Sequence, residues 1–486
     1  MKNLKDILYK ISLEQVLGTT DLAIHNVVFD SRSIVQDDLF VARKVTLVDG
    51  HLFIDKAINL GATAIVCEQI PKEIIPKITY IQVADTHSAL AILASNFYEK
   101  PSSKLQLIGV TGTNGKTTIA TLLYELFRKA GFKVGLLSTV KVLVNGNEYK
   151  ATHTTPDSMT INAYLDQMVK EGVSYCFMEV SSHGIDQKRT HGLLFRGGIF
   201  TNLSHDHLDY HKTFLAYRNV KKTFFDELPA SAFALVNIDD KNGAIMLQNT
   251  KATKKTYALK TLADYKAKIL EKSISGSLLA IGGTEVWTKL IGSFNAYNLL
   301  AIIGTAELCG IEEMEVLRLV SELESVSGRF QYLIKNDITA IVDYAHTPDA
   351  LKNVLETISG IRTGKEQVVT VVGCGGDRDK TKRPKMANIA AQLSDQAIFT
   401  SDNPRTEDPQ SILNDMELGV PSDLQNKTLS ILDRRQAIKT ACKLAKKGDI
   451  ILIAGKGHEN YQEINGQRAH FDDFEIVAEC LTQQEA

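Results

Sequence analysis

The stretch Leu105-Gln106-Leu107-Ile108-Gly109-Val110-Thr111-Gly112-Thr113-Asn114-Gly115-Lys116-Thr117-Thr118 decides how this chain is read. Residues 105–110 form a short apolar run of the kind that fills a strand buried on both faces. A glycine-containing loop follows, then a helical pattern over 116–130. Strand, loop and helix in this order make a cradle for phosphate. Glycines let backbone N–H groups turn inward around phosphate oxygens, and the helix N-terminus adds positive potential. Lys116 is placed to reach the outer phosphates, and Thr117 offers a hydroxyl to Mg²⁺. The common P-loop pattern has Gly five residues before Gly115, where this chain has Val110, so the loop is a variant. The alternative is a glycine-rich turn with a solvated lysine. Strand, helix and Gly-Lys-Thr-Thr together favour a nucleoside triphosphate site.

Outward from this loop, Val- and Ile-rich runs alternate with helical patterns along almost the whole chain, which is α/β construction. Strands are expected at 62–67, 78–83, 175–180, 198–202, 232–237, 338–343, 368–373, 396–400 and 449–455, with helices at 87–99 and 295–309. The polar stretch 100–104 reads as a linker, and 324–330 as the end of the central region. The 486 residues therefore divide into 1–103, 104–330 and 331–486, matching a norm of about 150 residues per domain.

Hydrophobic residues make up 44% and the formal net charge is −2, so there is apolar material for real cores and no basic field to draw nucleic acid. No apolar run approaches the roughly 18 residues of a membrane span. Lys5, Asp6 and Lys10 interrupt the N-terminus where a signal peptide needs an apolar core. The six cysteines are scattered without a metal-ligand spacing and read as reduced thiols. A cytoplasmic chain working as a monomer is expected.

Two further segments carry chemistry. In Met178-Glu179-Val180-Ser181-Ser182-His183-Gly184 the acid ends an apolar strand, at the sheet edge that faces ligand in doubly wound folds. A carboxylate there can hold Mg²⁺ against a phosphate, or it can be a strand-end ion pair. Asn202-Leu203-Ser204-His205-Asp206-His207-Leu208-Asp209-Tyr210-His211 then concentrates three of the chain's 12 histidines. Gly373-Cys374-Gly375-Gly376-Asp377-Arg378 is not a dinucleotide fingerprint, because Arg378 stands where the last glycine belongs.

These motifs, with Tyr217-Arg218-Asn219-Val220-Lys221, Ser293 to Asn298, Gly328-Arg329-Phe330, Asp343 to Asp349 and Asp402-Asn403-Pro404-Arg405, resemble the Mur ligases, ATP-dependent amide ligases of peptidoglycan precursor synthesis. The resemblance runs in order over nearly the whole chain. It implies a UDP-binding N-terminal α/β domain, a central P-loop ATPase-like domain and a Rossmann-like C-terminal domain. It is strongest to the members that add the third stem-peptide residue to UDP-N-acetylmuramoyl-L-Ala-D-Glu.

The resemblance also implies roles. Gly112, Thr113, Asn114, Gly115, Lys116, Thr117 and Thr118 would hold ATP, with Asn295 and Asn298 near adenine, Arg329 at the phosphates and Asp343 at the ribose. Thr117 and Glu179 would share one Mg²⁺; His207 and a carbamylated Lys221 would serve a second. Lys222 is adjacent, and a solvated helix lysine is the plain alternative for Lys221. Phe29, Ser31, Thr154, Thr155, Ser181, Gln187 and Arg189 would hold the UDP-muramoyl dipeptide. Arg378, Asp402, Asn403, Pro404, Arg405, Gly455 and Glu459 would hold the amino acid. The chain departs from the family at His153, at Ser327 and in the loop 46–51.

The implied reaction phosphorylates a carboxylate, and an amine then displaces phosphate. The base for that amine stays open among His183, His205 and solvent. A guanidinium at Arg405 suits the distal carboxylate of meso-diaminopimelate, which L-lysine lacks. The alternatives are the same reaction with L-lysine, a folylpolyglutamate synthase-like ligase, and a P-loop regulator that makes no amide bond.

Overall fold

The computed structural model describes residues 1–45, 48–204 and 206–483. Thr46, Leu47 and His205, which enter the sequence reading, lie outside the described residues. The P-loop strand, Gln106–Thr111, is buried along all but its first residue. It pairs in parallel with Tyr175–Glu179 on one side and Gly197–Phe200 on the other. Val110 stands opposite both Glu179 and Ile199, so the three strands end together at one edge. That edge carries the phosphate loop, the acid and the histidine segment.

The sheet is larger than expected, with eleven strands. Phe233–Asn237 and Thr253–Ala258 continue it in parallel, and Val134–Leu137 does so beyond Tyr175–Glu179. Further strands extend both ends: Lys141–Val144 and Asn147–Lys150 add antiparallel, while Tyr265–Ser273 joins Thr253–Ala258 in parallel and then pairs antiparallel with Gly276–Ile281, as that strand does with Thr284–Thr288. Leu123 and Phe127 of helix Lys116–Lys129 pack with Leu299 and Ile303 of helix Ser293–Leu308 in one core. Leu165 and Met168 of helix Ser158–Lys170 pack with Phe224 and Phe225 of helix Phe214–Asp226 in another.

Two smaller sheets flank it. The N-terminal one, in the order Gln15–Leu17, Thr79–Gln82, Ala64–Cys67, Leu39–Val41, Val27–Val28, is parallel apart from its first strand. The C-terminal one runs Gln331–Lys335, Ile338–Asp343, Ile450–Ala454, Val368–Cys374, Gln396–Ser401, Thr428–Ser430, again with only the first strand antiparallel. Asp343, Ala454, Cys374 and Ser401 therefore end at one edge.

The expected elements exist with ends shifted by a residue or two. The 100–104 stretch is no loose linker. Lys100 turns through a left-handed φ of 54°, Pro101–Ser103 form a 3-10 turn, and Ser102 is buried, its Oγ accepting from the Leu194 N–H at 3.0 Å.

One buried ion pair ties the last helix to this framework. Arg434 donates to both Asp473 oxygens at 2.9 and 2.7 Å and to the Ala454 carbonyl at 3.0 Å, with both side chains fully buried. Removing one partner strands a buried charge. Asp473→Ala is therefore expected to lower unfolding free energy by about 3–5 kcal/mol in denaturant titrations. A loss under about 1 kcal/mol would mean that Arg434 reaches water.

Candidate active site

Gly112 adopts φ 149°, and a β-carbon there would lie 1.9 Å from Thr201 Oγ1, so no side chain fits. The loop is stitched to the neighbouring strand end. The Asn114 N–H donates to Asn202 Oδ1 at 3.0 Å, and Thr201 Oγ1 donates to the Asn114 carbonyl at 2.6 Å. Lys116 Nζ folds back to donate to the Gly112 and Thr113 carbonyls at 3.0 and 2.8 Å. Burial holds its pKa below that of a free lysine, against the pull of Glu179 and Asp206.

Lys221 is 1% exposed, not the solvated helix lysine of the plain alternative. Its Nζ donates to the same Gly112 carbonyl at 2.9 Å and lies 3.3 Å from Thr111 Oγ1. Burial, with Lys116 beside it, drives its pKa well down, Asp206 opposing. Lys222 is instead taken up by Asp226 at 2.7 Å, one helical turn on. Glu179 is fully buried and is held by the N–H of Thr139 at 2.8 Å and its hydroxyl at 3.1 Å, rather than in an ion pair. His207 sits at a left-handed φ of 54° with its ring edge-on to His183 at 4.9 Å. Burial holds its pKa down to about 4 despite Asp206, so the imidazole is neutral with a lone pair to offer.

A cavity of about 660 Å³ opens beside the loop, lined by Gly115, Asn295, Asn298, Arg329, Asp343 and His346 among others. Of the sequence-predicted nucleotide residues, Asn114, Gly115, Thr118, Asn295, Asn298, Arg329 and Asp343 line it, while Gly112, Thr113, Lys116 and Thr117 do not. Asn298 Nδ2 donates to Asn295 Oδ1 at 3.0 Å, and Asn295 Nδ2 to the Ile291 carbonyl at 2.9 Å. Arg329 stacks on Tyr344, 4.5 Å from its centroid, and donates to Thr117 Oγ1 at 3.1 Å. Its Nε is buried without a protein partner, a donor suited to an anion. Asp343 does cap the backbone, accepting from the Phe330 N–H at 2.7 Å, and burial raises its pKa to about 6. His346, absent from the sequence-based set, lines this cavity and bonds the Tyr344 carbonyl through Nδ1 at 2.9 Å.

Toward the N-terminal sheet, Thr154 Oγ1 lies within hydrogen-bond distance of Thr139 Oγ1 at 3.0 Å, and Thr155 Oγ1 donates to the Glu179 carbonyl at 2.8 Å. Arg189 bridges the Thr155 carbonyl at 2.6 Å and Gln187 Oε1 at 2.7 Å. The Ser181 N–H donates to Thr155 Oγ1, while its hydroxyl caps helix Ser182–Asp186. These five residues form one cluster. Phe29 carries the Arg43 guanidinium 3.9 Å above its ring, and Arg43 feels the charges of Asp157 and Arg189. The Phe29 segment, with Ser31 buried in it, therefore faces the cluster. Arg43 was missed because a single arginine beside an apolar strand carries no motif.

At the C-terminal sheet edge, Arg405 lies at φ 53° and donates to the Gly376 carbonyl at 2.6 Å. It pairs with neither of its acidic neighbours: Glu407 is taken by Arg383 and Lys380, and Asp408 caps helix Pro409–Glu417. Arg378 is exposed, and a β-carbon on Gly375 would lie 3.0 Å from Arg405 Nη1 and 3.9 Å from Arg378 Cγ. Asn403 Nδ2 donates to Glu459 Oε2 at 2.7 Å. Gly455 adopts φ 117°, and a β-carbon there would lie 2.6 Å from Asp402 Oδ2. Pro404 presents Arg405 to hairpin Tyr461–Ile464/Gln467–His470, whose Glu463 carbonyl accepts from the Arg405 N–H at 3.1 Å. Lys456, fully buried among these groups, was also missed.

A phosphate loop with converging lysines, a buried acid at the adjacent strand end, and a second Rossmann-like sheet supplying Arg329 and Asp343 define an ATP-dependent ligase. Three family models match: "Mur ligase family, catalytic domain" over 23–98, "Mur ligase middle domain" over 110–306 and "Mur ligase, glutamate ligase domain" over 328–457. The chain belongs to the Mur ligase family. It is 55% identical over 485 residues to a UDP-N-acetylmuramoyl-L-alanyl-D-glutamate--2,6-diaminopimelate ligase of Parabacteroides distasonis, covering 99% of this chain and 100% of that one. It is 54% identical over 480 residues to the protein of the same name from Cytophaga hutchinsonii, covering 98% and 99%. A solved structure bearing that name is 32% identical, with a TM-score of 0.71 and 100% and 99% coverage. A Mycobacterium tuberculosis folylpolyglutamate synthase shares the fold at 16% identity and a TM-score of 0.62, over 76% of this chain and 92% of its own.

Lys116→Ala is expected to abolish ADP formation while the far-UV circular dichroism spectrum is retained, because it removes an amine from the phosphate loop and no apolar packing. Turnover near wild type in that variant would take the loop out of the reaction.

Proposed function

We propose that this protein is an ADP-forming ligase that adds meso-diaminopimelate to UDP-N-acetylmuramoyl-L-Ala-D-Glu in peptidoglycan precursor synthesis. The observation that carries the reading is full-length identity of 54–55% to curated relatives named for this reaction, on a chain that keeps Arg405 clear of its acidic neighbours. The three regions 1–103, 104–330 and 331–486 would bind the UDP-linked substrate, ATP and the amino acid respectively. No helix among the described residues is long and apolar enough to cross a membrane. A cytoplasmic location fits the use of ATP and a UDP-linked substrate.

In the proposed mechanism, the D-Glu side-chain carboxylate attacks the γ-phosphorus of ATP, forming an acyl phosphate and releasing ADP. The amine of diaminopimelate then attacks the acyl carbon, phosphate leaves, and the amine gives up its proton. Lys116 and Arg329 would bind the triphosphate, the unpartnered Arg329 Nε supporting that assignment. Asn295 and Asn298 would face the base, and Asp343 the ribose. Thr155, Ser181, Gln187 and Arg189 would orient the UDP-muramoyl dipeptide. Mg²⁺ fits this site: Thr117, Glu179 and neutral His207 offer hydroxyl, carboxylate and imidazole donors, and a carbamate on Lys221 would add oxygens. Bound there, Mg²⁺ would offset the charge of two anions brought together in a dry site. Among the described residues no three His, Cys, Asp or Glu side chains already gather as a metal cage, which makes the carbamate the more useful.

Carbamylation needs a neutral amine, and burial of Lys221 beside Lys116 favours that form. Enzyme stripped of CO₂ at low pH is expected to lose activity and regain it with bicarbonate, and Lys221→Ala should be inactive either way. A crystal with nucleotide and Mg²⁺ in which Lys221 shows a free ammonium would refute the assignment.

The amino-acid assignment has its own test. Arg405→Ala should weaken diaminopimelate use by about a hundredfold or more while sparing the KM values for ATP and the UDP-linked substrate. Equal turnover of L-lysine and diaminopimelate by the wild-type enzyme would show that Arg405 is not the selector and favour the lysine reading.

A further inference from the structure

Behind the Arg405 loop lies a buried polar cluster with an ammonium at its centre. We infer that Lys456 is a positioning residue for the incoming diamino acid: it locks Asn403 and Glu459 into one geometry and thereby builds the acidic half of the amino-acid site. This rests on the proposed function.

Lys456 is fully buried, so its charge must be met inside the protein. Its Nζ donates to Asn403 Oδ1 at 3.0 Å and Glu459 Oε2 at 3.3 Å, lies 4.0 Å from Asp402 Oδ1, and is 5.5 Å from the Tyr461 ring centroid. The Asn403 amide is fixed from both ends. Its oxygen also accepts from the Glu463 N–H at 2.9 Å, and its nitrogen donates to Glu459 at 2.7 Å. Two carboxylates thus face one ammonium, leaving a net negative charge where a substrate ammonium would come to rest.

Lys456 is the cation best placed to hold that arrangement. Burial and the Asp402 carboxylate push Glu459 toward protonation, and Lys456 with the Asn403 amide opposes them. Of the other charged or titratable groups facing Glu459, Arg434 is committed to Asp473 and Arg468 to Glu463, while Tyr344 and Tyr461 are phenols. Without Lys456, Asn403 loses one of its three side-chain bonds and the two carboxylates repel.

Lys456→Gln keeps a hydrogen bond to Asn403 and removes the charge. In the full-length enzyme it is expected to raise KM for diaminopimelate by about thirtyfold or more, with kcat and the KM values for ATP and the UDP-linked substrate within about threefold. Because the effect runs through Glu459, Lys456→Gln combined with Glu459→Gln should be no worse than the more severe single variant. An unchanged KM for diaminopimelate, or losses that multiply in the double variant, would overturn the inference. If Lys456→Gln does not fold, the wild-type crystal structure with diaminopimelate decides. Lys456 should bond both Asn403 and Glu459 and touch no substrate atom; direct contact with substrate, or release of Glu459, overturns it. Wild-type enzyme that does not use diaminopimelate would refute the functional reading itself, whereas normal use with an insensitive Lys456 variant refutes only this role.

Discussion

Two lysine amines converge on one carbonyl oxygen in this protein, and much of the site follows from that. Lys116 and Lys221 come from different helices, and both donate to Gly112 at the turn of the phosphate loop. In a buried setting, holding both of them protonated is costly, and Glu179 and Asp206 offset only part of that cost. Two remedies are chemically available. An anion can enter beside the loop, as a triphosphate would, or one lysine can lose its charge, as Lys221 would on carbamylation. The proposed reaction would use both, so the convergence that disfavours two positive charges would favour a bound anion and a carbamylated Lys221.

The same electrostatics explains why the C-terminal sheet reaches back to the loop. Arg329 lies just before that sheet's first strand, yet it bonds Thr117 in the phosphate loop and stacks on Tyr344. Asp343 holds the Phe330 backbone and His346 lies within reach of the Asp206 charge. Groups from one parallel sheet edge are thereby laid across the edge of another. A nucleotide cavity bounded this way depends on the relation between two sheets, so its completeness is tied to how they are held.

The parallel strands and the phosphate loop were legible because continuous apolar runs and glycine spacing are local signals. The strands that extend both ends of the central sheet were not read. Tyr265–Ser273 alternates polar and half-buried residues with no apolar run to announce it. The hairpins at 141–150 and 461–470 did carry a local cue, since both turn at Asn-Gly pairs, Asn145-Gly146 and Asn465-Gly466, with positive φ at each residue. In the site, motif residues were located by resemblance, and the structure brings them into three neighbouring groups. Arg43, His346 and Lys456 acquire their surroundings only through tertiary contacts, and no spacing rule points to them. The 100–104 stretch was read as a linker from its polar composition, which does not reveal that Pro101 and Ser102 are buried, Ser102 bonding Leu194 of the central region.

Selection of an amino acid with charges at both ends poses a problem that one sign of charge cannot solve. Arg405 and Arg378 both lie near Gly375, and Asp402 and Glu459 lie across the same loop. Left to themselves, opposite charges this near would collapse into ion pairs and erase the site. The fold prevents it by giving the charges other obligations. Glu407 is drawn away to Arg383 and Lys380, the Arg405 guanidinium is pinned to the Gly376 carbonyl, and Glu459 is held by Asn403 and Lys456. In the proposed site each half would be satisfied locally while still offering charge to a ligand held between them. An arrangement of that kind discriminates by geometry as well as by sign. A ligand lacking the distal carboxylate would leave a guanidinium unmet, and one lacking the ammonium would leave the acidic half repelling itself.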